Sequence, residues 1–154
     1  MEKNLTKPPP AAVPAGEASA ITRGVRRMLA AHGLASVAEF TLRSRRRADV
    51  LAVDAKGIVT IVEVKSSIAD FRADRKWPDY LDFCDHFYFA VDDSFPAELI
   101  PDSCGLMIAD AYEAAIAREA PETPLNAVRR RTLLLRFAHA AAGRLHRLED
   151  PGLV

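Results

Sequence analysis

Three charged residues interrupt two apolar, β-branched segments near the middle of this 154-residue chain. Asp49 lies within residues 48–53, Glu63 lies within residues 58–64, and Lys65 follows directly. A charge beside a buried strand costs free energy unless it is paired or binds a metal ion. Carboxylates suit a hard cation, and a neighbouring ammonium group can orient a water molecule or stabilise charge on a phosphate. These three residues are therefore the candidate centre of the chemistry.

The turn between the two segments decides whether the carboxylates meet. Residues 55–57 form a short turn whose last residue is a glycine, which suits the left-handed conformation that ends a three-residue hairpin turn. Such a turn pairs Asp54 with Ile58. The same register, continued along the hairpin, places Asp49 directly opposite Glu63.

Directly opposed residues have Cβ atoms about 4.5–5.5 Å apart, and two carboxylates so close repel unless a cation lies between them. The hairpin therefore predicts a Mg²⁺ site at Asp49 and Glu63, at which Mn²⁺ would substitute. Lys65 shares the face of Glu63 because the two residues are two positions apart. The alternative, in which these charges simply face solvent, is disfavoured because Val59 and Ile61 share that face.

Outside the hairpin, some segments have the apolar spacing of helices and others have that of strands. Helical spacing predicts helices at 19–32, from 68 towards Pro78, and at 125–148. Short apolar runs predict strands at 37–42, 48–53, 58–64, 86–91, 105–109 and 113–118. This order predicts an α/β fold with a mixed central β-sheet flanked by helices on both sides. The packing stripe of the last helix is predicted to comprise Leu134, Ala138, Ala141, Leu145 and Leu148.

Composition indicates one domain with an appended arm. Residues 1–16 contain four prolines and are predicted to be disordered, and residues 17–150 form the predicted domain. The chain carries 21 basic and 21 acidic residues, so no overall field demands a nucleic-acid partner, although arginines cluster at 43–47 and 129–131. No secretory or membrane-spanning segment is recognisable. We expect a cytoplasmic protein, nucleoid-associated when acting, without a membrane partner.

Two stretches of the sequence resemble known protein families. Arg-Ala-Asp-Val at 47–50 followed by Val-Glu-Val-Lys at 62–65 resembles the Asp…Glu-x-Lys signature of the PD-(D/E)XK nuclease superfamily, with Ala48 in place of the proline. The longer run 63–91 is similar to the MmcB-type DNA-repair proteins of bacteria. The resemblance implies a restriction-endonuclease-like core, a divalent metal, DNA as partner and a role in repair.

The resemblance also implies individual roles by matched position. Asp49 and Glu63 become metal ligands, and Lys65 becomes the catalytic lysine. The metal would be bound further by the carbonyl of Val64.

A second motif follows the lysine. Lys76-Trp-Pro-Asp-Tyr80 looks like the Gln-x-x-x-Tyr motif of RecB-type relatives, with lysine in place of glutamine. In that role Lys76 would contact a phosphate, and Tyr80 would brace it or stack on a base. The alternative is that Trp77 and Tyr80 anchor the core and Lys76 is solvated.

Accessory residues can be assigned only as candidates. A further carboxylate often completes such sites, and Glu17 in the first helix and Glu39 in the first strand compete for that role. Arg46 and Arg47 belong to the cluster that would guide the DNA backbone.

The leading expectation is a Mg²⁺-dependent DNA endonuclease in repair. The main alternative is a catalytically silent PD-(D/E)XK-fold module that binds DNA or another repair protein. A third possibility is a subunit whose apolar last helix pairs with a partner; the oligomeric state is not predicted.

Overall fold

The computed structural model of the chain describes residues 17–152, except for the side chain of Glu17. The predicted arm at 1–16 thus lies outside the described residues. The helices and strands are α1 (Glu17–Ala31), β1 (Ala35–Thr41), β2 (Arg47–Val53), β3 (Val59–Val64), α2 (Ile68–Ala73), β4 (His86–Val91), β5 (Gly105–Ala109), β6 (Ala114–Arg118) and α3 (Ala127–Glu149). Two 3₁₀ helices, Trp77–Phe83 and Ala97–Leu99, complete the order. Over the described part, no helix is both long and apolar enough to cross a membrane.

The six strands form one mixed sheet in the sequential order β1 to β6. Strands β1, β2 and β3 pair antiparallel, because short turns join them. Strands β3, β4 and β5 pair parallel, and β6 returns antiparallel at the far edge. The predicted mixed sheet is therefore confirmed.

Helices cover both faces of the sheet, as the sequence predicted. On one face, α1 buries Ile21 and Val25 against a cluster that includes Val62. On the other face, α3 and the 3₁₀ helix Trp77–Phe83 pack over a second cluster that includes Ile61. Along β3, β4 and β5, residues alternate between the two clusters because successive side chains point to opposite faces.

Aromatic contacts hold the segment after β3 onto the sheet. Trp77 stacks on Phe87 with ring centroids 5.8 Å apart, and Phe71 meets Phe89 edge-to-face at 5.5 Å. Such pairs stabilise by about 0.5–1.5 kcal/mol beyond their burial. They fix the position of the loop between α2 and the 3₁₀ helix, which lies beside the candidate site.

The predicted helix from residue 68 ends earlier than expected. Ser67 accepts a hydrogen bond from the Asp70 amide at 3.0 Å and caps its start. The helix stops at Ala73, because Asp74 adopts an extended conformation and binds the amides of Lys76 and Trp77. The carboxylate of Asp74 therefore starts the 3₁₀ helix before Pro78 is reached.

The predicted packing stripe of α3 is partly wrong. Leu134 and Ala141 pack against the core, but Ala138 is exposed, as are Leu145 and Leu148. The stripe is completed instead by Leu133, Phe137 and Ala140. Leucines and alanines lie on several faces of this helix, so periodicity alone could not select the face that meets the sheet.

Candidate active site at the β2–β3 hairpin

The hairpin has the register that its turn predicted. Gly57 has a φ of 83°, and the Asp54 amide donates to the Ile58 carbonyl at 3.1 Å. The ladder runs from this turn to the pair Val50–Val62. The next residues along the two strands are Asp49 and Glu63, which therefore oppose one another.

At this pair, backbone amides donate to side-chain carboxyl oxygens, and these hydrogen bonds replace the backbone ladder. The Asp49 amide donates to Oε1 of Glu63 at 3.1 Å, and the Val64 amide donates to Oδ2 of Asp49 at 2.8 Å. Each carboxyl group is thus fixed by a backbone amide and turned towards the other.

Glu39 contributes to this geometry through its backbone. It lies between the pairs Ala38–Val50 and Phe40–Ala48, opposite Asp49, and its φ is 51°. This left-handed conformation, uncommon for a glutamate, interrupts the β1–β2 ladder beside the site. Its exposed side chain lies 4.0 Å from the guanidinium of Arg47.

Burial makes the carboxylate pair electrostatically unfavourable. Glu63 is only 5% exposed, and this burial, with the charge of Asp49, raises its pKa to about 8. Burial also raises the pKa of Asp49, although the hydrogen bond from Val64 opposes the shift. Near neutral pH the pair therefore retains a proton, which a bound cation would displace.

Lys65 lies beside the pair and is held by a residue that the sequence analysis did not identify. Its ammonium group, in a residue 6% exposed, donates to Oδ2 of Asp74 at 2.7 Å. Burial alone would raise the pKa of Asp74, but the hydrogen bond from Lys65 lowers it overall. Asp74 follows Lys65 by nine residues and belongs to the end of α2, so no strand or helix spacing could predict the contact.

The donors suit a small divalent cation. The two carboxyl groups are neighbours, and in an extended strand the N–H and C=O groups of Val64 point to the same side, towards β2. Oxygen ligands of this kind, completed by water, are those that Mg²⁺ accepts. Among the side chains described, no group of three or more His, Cys, Asp or Glu residues could hold a metal ion. The candidate ligands at this point are the carboxyl groups of Asp49 and Glu63 and the Val64 carbonyl.

The second motif lies beside the pair. Tyr80 is buried, stacks on Phe87 at 6.2 Å and donates its hydroxyl to the Arg47 carbonyl at 2.8 Å. Burial and the nearby negative charge of Glu63 raise the pKa of this tyrosine. Lys76 is exposed at the start of the same 3₁₀ helix. The aromatic residue thus packs in the core, and the lysine faces solvent.

The remaining candidates occupy different positions. Arg46 pairs with Asp79 at 3.1 Å on the surface next to Tyr80. Arg47, which the sheet ladder places opposite Thr41, is exposed. The side chain of Glu17 lies outside the described part, and its helix packs on the opposite face of the sheet.

Fold and site together define an α/β domain with a mixed sheet and a buried acidic pair beside a lysine. A family model described as DNA repair protein MmcB-like matches residues 7–152, and the chain belongs to this family. The chain is 48% identical to the SPO1766 protein of unknown function from Silicibacter pomeroyi. That structure superposes with a TM-score of 0.87 over 92% of this chain and 97% of the other. No curated protein matches. Family membership fits a role in DNA repair.

Proposed function

We propose that this chain is a metal-dependent deoxyribonuclease of the PD-(D/E)XK type that acts in DNA repair in the cytoplasm, at the nucleoid. The observation that carries the proposal is the convergence of the Asp49 and Glu63 carboxylates next to Lys65 at a buried point of the sheet. A family of DNA repair proteins supports DNA as the substrate. A purely structural site would gain nothing from two facing acids, since their burial destabilises the fold.

The acidic pair would bind the cofactor. Asp49, Glu63 and the carbonyl of Val64 would hold Mg²⁺ or Mn²⁺, whose bound form supplies Lewis-acid polarisation of a phosphodiester and activation of a water. The backbone amides on both carboxyl groups keep these oxygens in place without the cation. The carboxyl oxygens are thus preorganised for a cation.

Lys65 would act on the substrate directly. Its ammonium group can donate to a phosphate oxygen or to the attacking water while one of its protons stays bonded to Asp74. Asp74 is a positioning residue in this scheme, because it limits the rotamers of a side chain with four flexible bonds. Arg46, Arg47 and Lys76 lie on the neighbouring surface and would contact the DNA backbone.

The proposal is tested by cleavage of single- and double-stranded DNA in Mg²⁺ or Mn²⁺. Lys65→Ala should lower the rate by at least about 100-fold, because it removes a charge that acts on the transition state. The matched control is Lys56→Ala, which removes an exposed lysine from the turn of the same hairpin and should leave the rate unchanged. If wild type and Lys65→Ala show the same background, the nuclease assignment fails.

One observation favours a second candidate function, a catalytically silent module that binds DNA or another repair protein. Lys65 already has a counter-ion in Asp74, so the buried lysine can be explained as part of a structural ion pair without any substrate. Thermal unfolding during a Mg²⁺ titration separates the two functions. A nuclease should be stabilised by Mg²⁺ and lose this response in Asp49→Asn, whereas a silent module should show no response.

A further inference from the structure

A groove lined by three arginines lies between α3 and the turn that joins β1 to β2. It encloses about 690 Å³ and is lined by Arg43, Arg129 and Arg136 together with Phe83, Val128 and Leu133. Ligand pockets commonly measure about 300–1,000 Å³, so the groove is large enough for a nucleotide. None of the lining residues in the described part of the chain is acidic. The occupant that matches this charge is an anion.

Two of the arginines are fixed by the protein itself. Arg129 donates to the Asp82 carbonyl at 2.8 Å and lies over the ring of Phe83, 5.1 Å from its centroid. Arg136 donates to the Thr41 carbonyl at 3.0 Å. Each guanidinium carries five N–H donors, so most remain available to a ligand. Fixing a charged group before binding reduces the entropy lost on binding.

The floor of the groove is apolar. Leu133 is buried beneath it, and Val128 is 79% exposed at its rim. The guanidinium group over an aromatic ring, with aliphatic side chains beside it, offers a flat surface on which a nucleobase can stack. Duplex DNA stacks its base faces on one another and offers mainly phosphates and groove edges. The combination therefore favours an unpaired nucleotide.

One element borders both the groove and the candidate active site. The 3₁₀ helix Trp77–Phe83 places Tyr80 beside the acidic pair and Phe83 at the groove. The pair Arg46–Asp79 lies on the surface of the same helix. A strand bound in the groove would therefore lie against the element that borders the acidic pair.

We infer that this groove binds single-stranded DNA, with a base against the Arg129–Phe83 stack and flanking phosphates on Arg43 and Arg136. This inference deepens the proposed function, on which it rests, since it assigns the strand class that the site receives. Binding depends on the groove alone, so it can be measured without cleavage.

The experiment is fluorescence anisotropy with a labelled 12-mer of single-stranded DNA in EDTA. The wild type should bind this strand more tightly than a duplex of the same length or the mononucleotide dTMP. Arg129→Gln should weaken binding about tenfold, the equivalent of losing one stacked base. Its neighbour Arg131 is exposed and does not line the groove, so Arg131→Gln should weaken binding less than threefold.

A second pair of variants changes two exposed positions, at which substitutions usually cost little stability. Val128→Asp places a negative charge at the exposed rim, and Leu135→Asp places the same charge at a 62% exposed position of α3 outside the groove. Only Val128→Asp should abolish binding of the 12-mer. The inference would be overturned if the two variants of a pair lost affinity for the 12-mer equally. It would also be overturned if the wild type bound the duplex or an RNA 12-mer more tightly than the single-stranded DNA 12-mer, or bound dTMP with equal affinity.

The two proposals fail separately. If the wild type does not cleave DNA, but Val128→Asp and Arg129→Gln bind the 12-mer more weakly than their control variants, the nuclease assignment fails and the groove assignment remains. If Lys65→Ala abolishes cleavage while the groove variants bind normally, the groove assignment fails and the nuclease remains.

Discussion

Asp74 has two functions through its two carboxylate oxygens. Oδ2 accepts from the ammonium group of Lys65, and Oδ1 accepts from the amides of Lys76 and Trp77. One side chain thus neutralises a buried lysine and starts the 3₁₀ helix that carries Tyr80. The position of the candidate catalytic lysine is therefore coupled to the local fold around it.

Asp74→Asn should destabilise the protein by about 2–4 kcal/mol, because the buried Lys65 loses the carboxylate that accepts its hydrogen bond. The amide oxygen of asparagine can still accept from the two backbone amides, so the helix start is retained. The control is Asp79→Asn, which breaks the exposed pair with Arg46 and should cost less than about 1 kcal/mol. Urea unfolding measures both values, and equal costs would contradict the assigned role.

Glu63 gives the stability of the cation-free protein a pH dependence. Its folded-state pKa of about 8 lies above the ordinary value of 4.5, so the folded state binds its proton more tightly. The corresponding stability is fully present below about pH 4.5 and is lost as pH rises towards 8. Asp49 contributes in the same direction.

Glu63→Gln should therefore gain stability relative to wild type as pH rises. In urea unfolding with EDTA, the difference between variant and wild type should increase by at least about 1.4 kcal/mol between pH 5 and pH 8.5, since one pKa unit corresponds to that amount. The glutamine oxygen can still accept from the Asp49 amide. A difference independent of pH would show that Glu63 is not held protonated by its surroundings.

At the scale of elements, α1 depends on a close backbone approach. A Cβ atom on Gly24 would lie 1.9 Å from the Asp110 carbonyl oxygen and 2.6 Å from that of Glu113. The loop after β5 therefore lies directly against the helix backbone. A glycine in mid-helix costs about 1 kcal/mol in propensity, and here it is required by packing.

Gly24→Ala should destabilise the protein by about 2 kcal/mol or more, despite its better helix propensity, because backbone atoms must move. Gly143→Ala is the matched control in α3. A Cβ atom there meets only the Arg147 guanidinium at 3.5 Å, so this change should stabilise by up to about 1 kcal/mol. Thermal unfolding of the two variants should shift in opposite directions.

At the scale of the whole molecule, the sheet ends at β1, and helices protect this edge. Arg144 of α3 donates to the carbonyls of Ala38 and Glu39, and Arg26 of α1 donates to that of Ser36. Unpaired carbonyls on an edge strand are sites at which another sheet can pair. The guanidinium groups therefore limit edge-to-edge association.

Arg144→Ala should increase self-association, because two carbonyl groups of β1 lose their donor. Light scattering over a concentration series should give a larger mean mass than for Arg147→Ala, an equal loss of charge at an exposed position of the same helix. The same mass for both variants would contradict a protective role at the edge.

The strands were predicted from sequence to within about two residues, and the register at Asp49 and Glu63 was predicted as well. The reason is that Gly57 lies between the two strands, so a local turn fixes contacts along the whole hairpin. The buried face of α3 was predicted only in part, because apolar side chains on several faces leave the choice to the surface that the helix meets.

The sequence by itself thus determined the hairpin, its facing carboxylates and the order of helices and strands. Only the tertiary structure decided what lies around them. Asp74 meets Lys65 across an element boundary, and the bidentate pair of Arg130 with the buried Asp85 joins α3 to the start of β4 over 45 residues. Local periodicity carries no information on such contacts, since they depend on how separate elements pack.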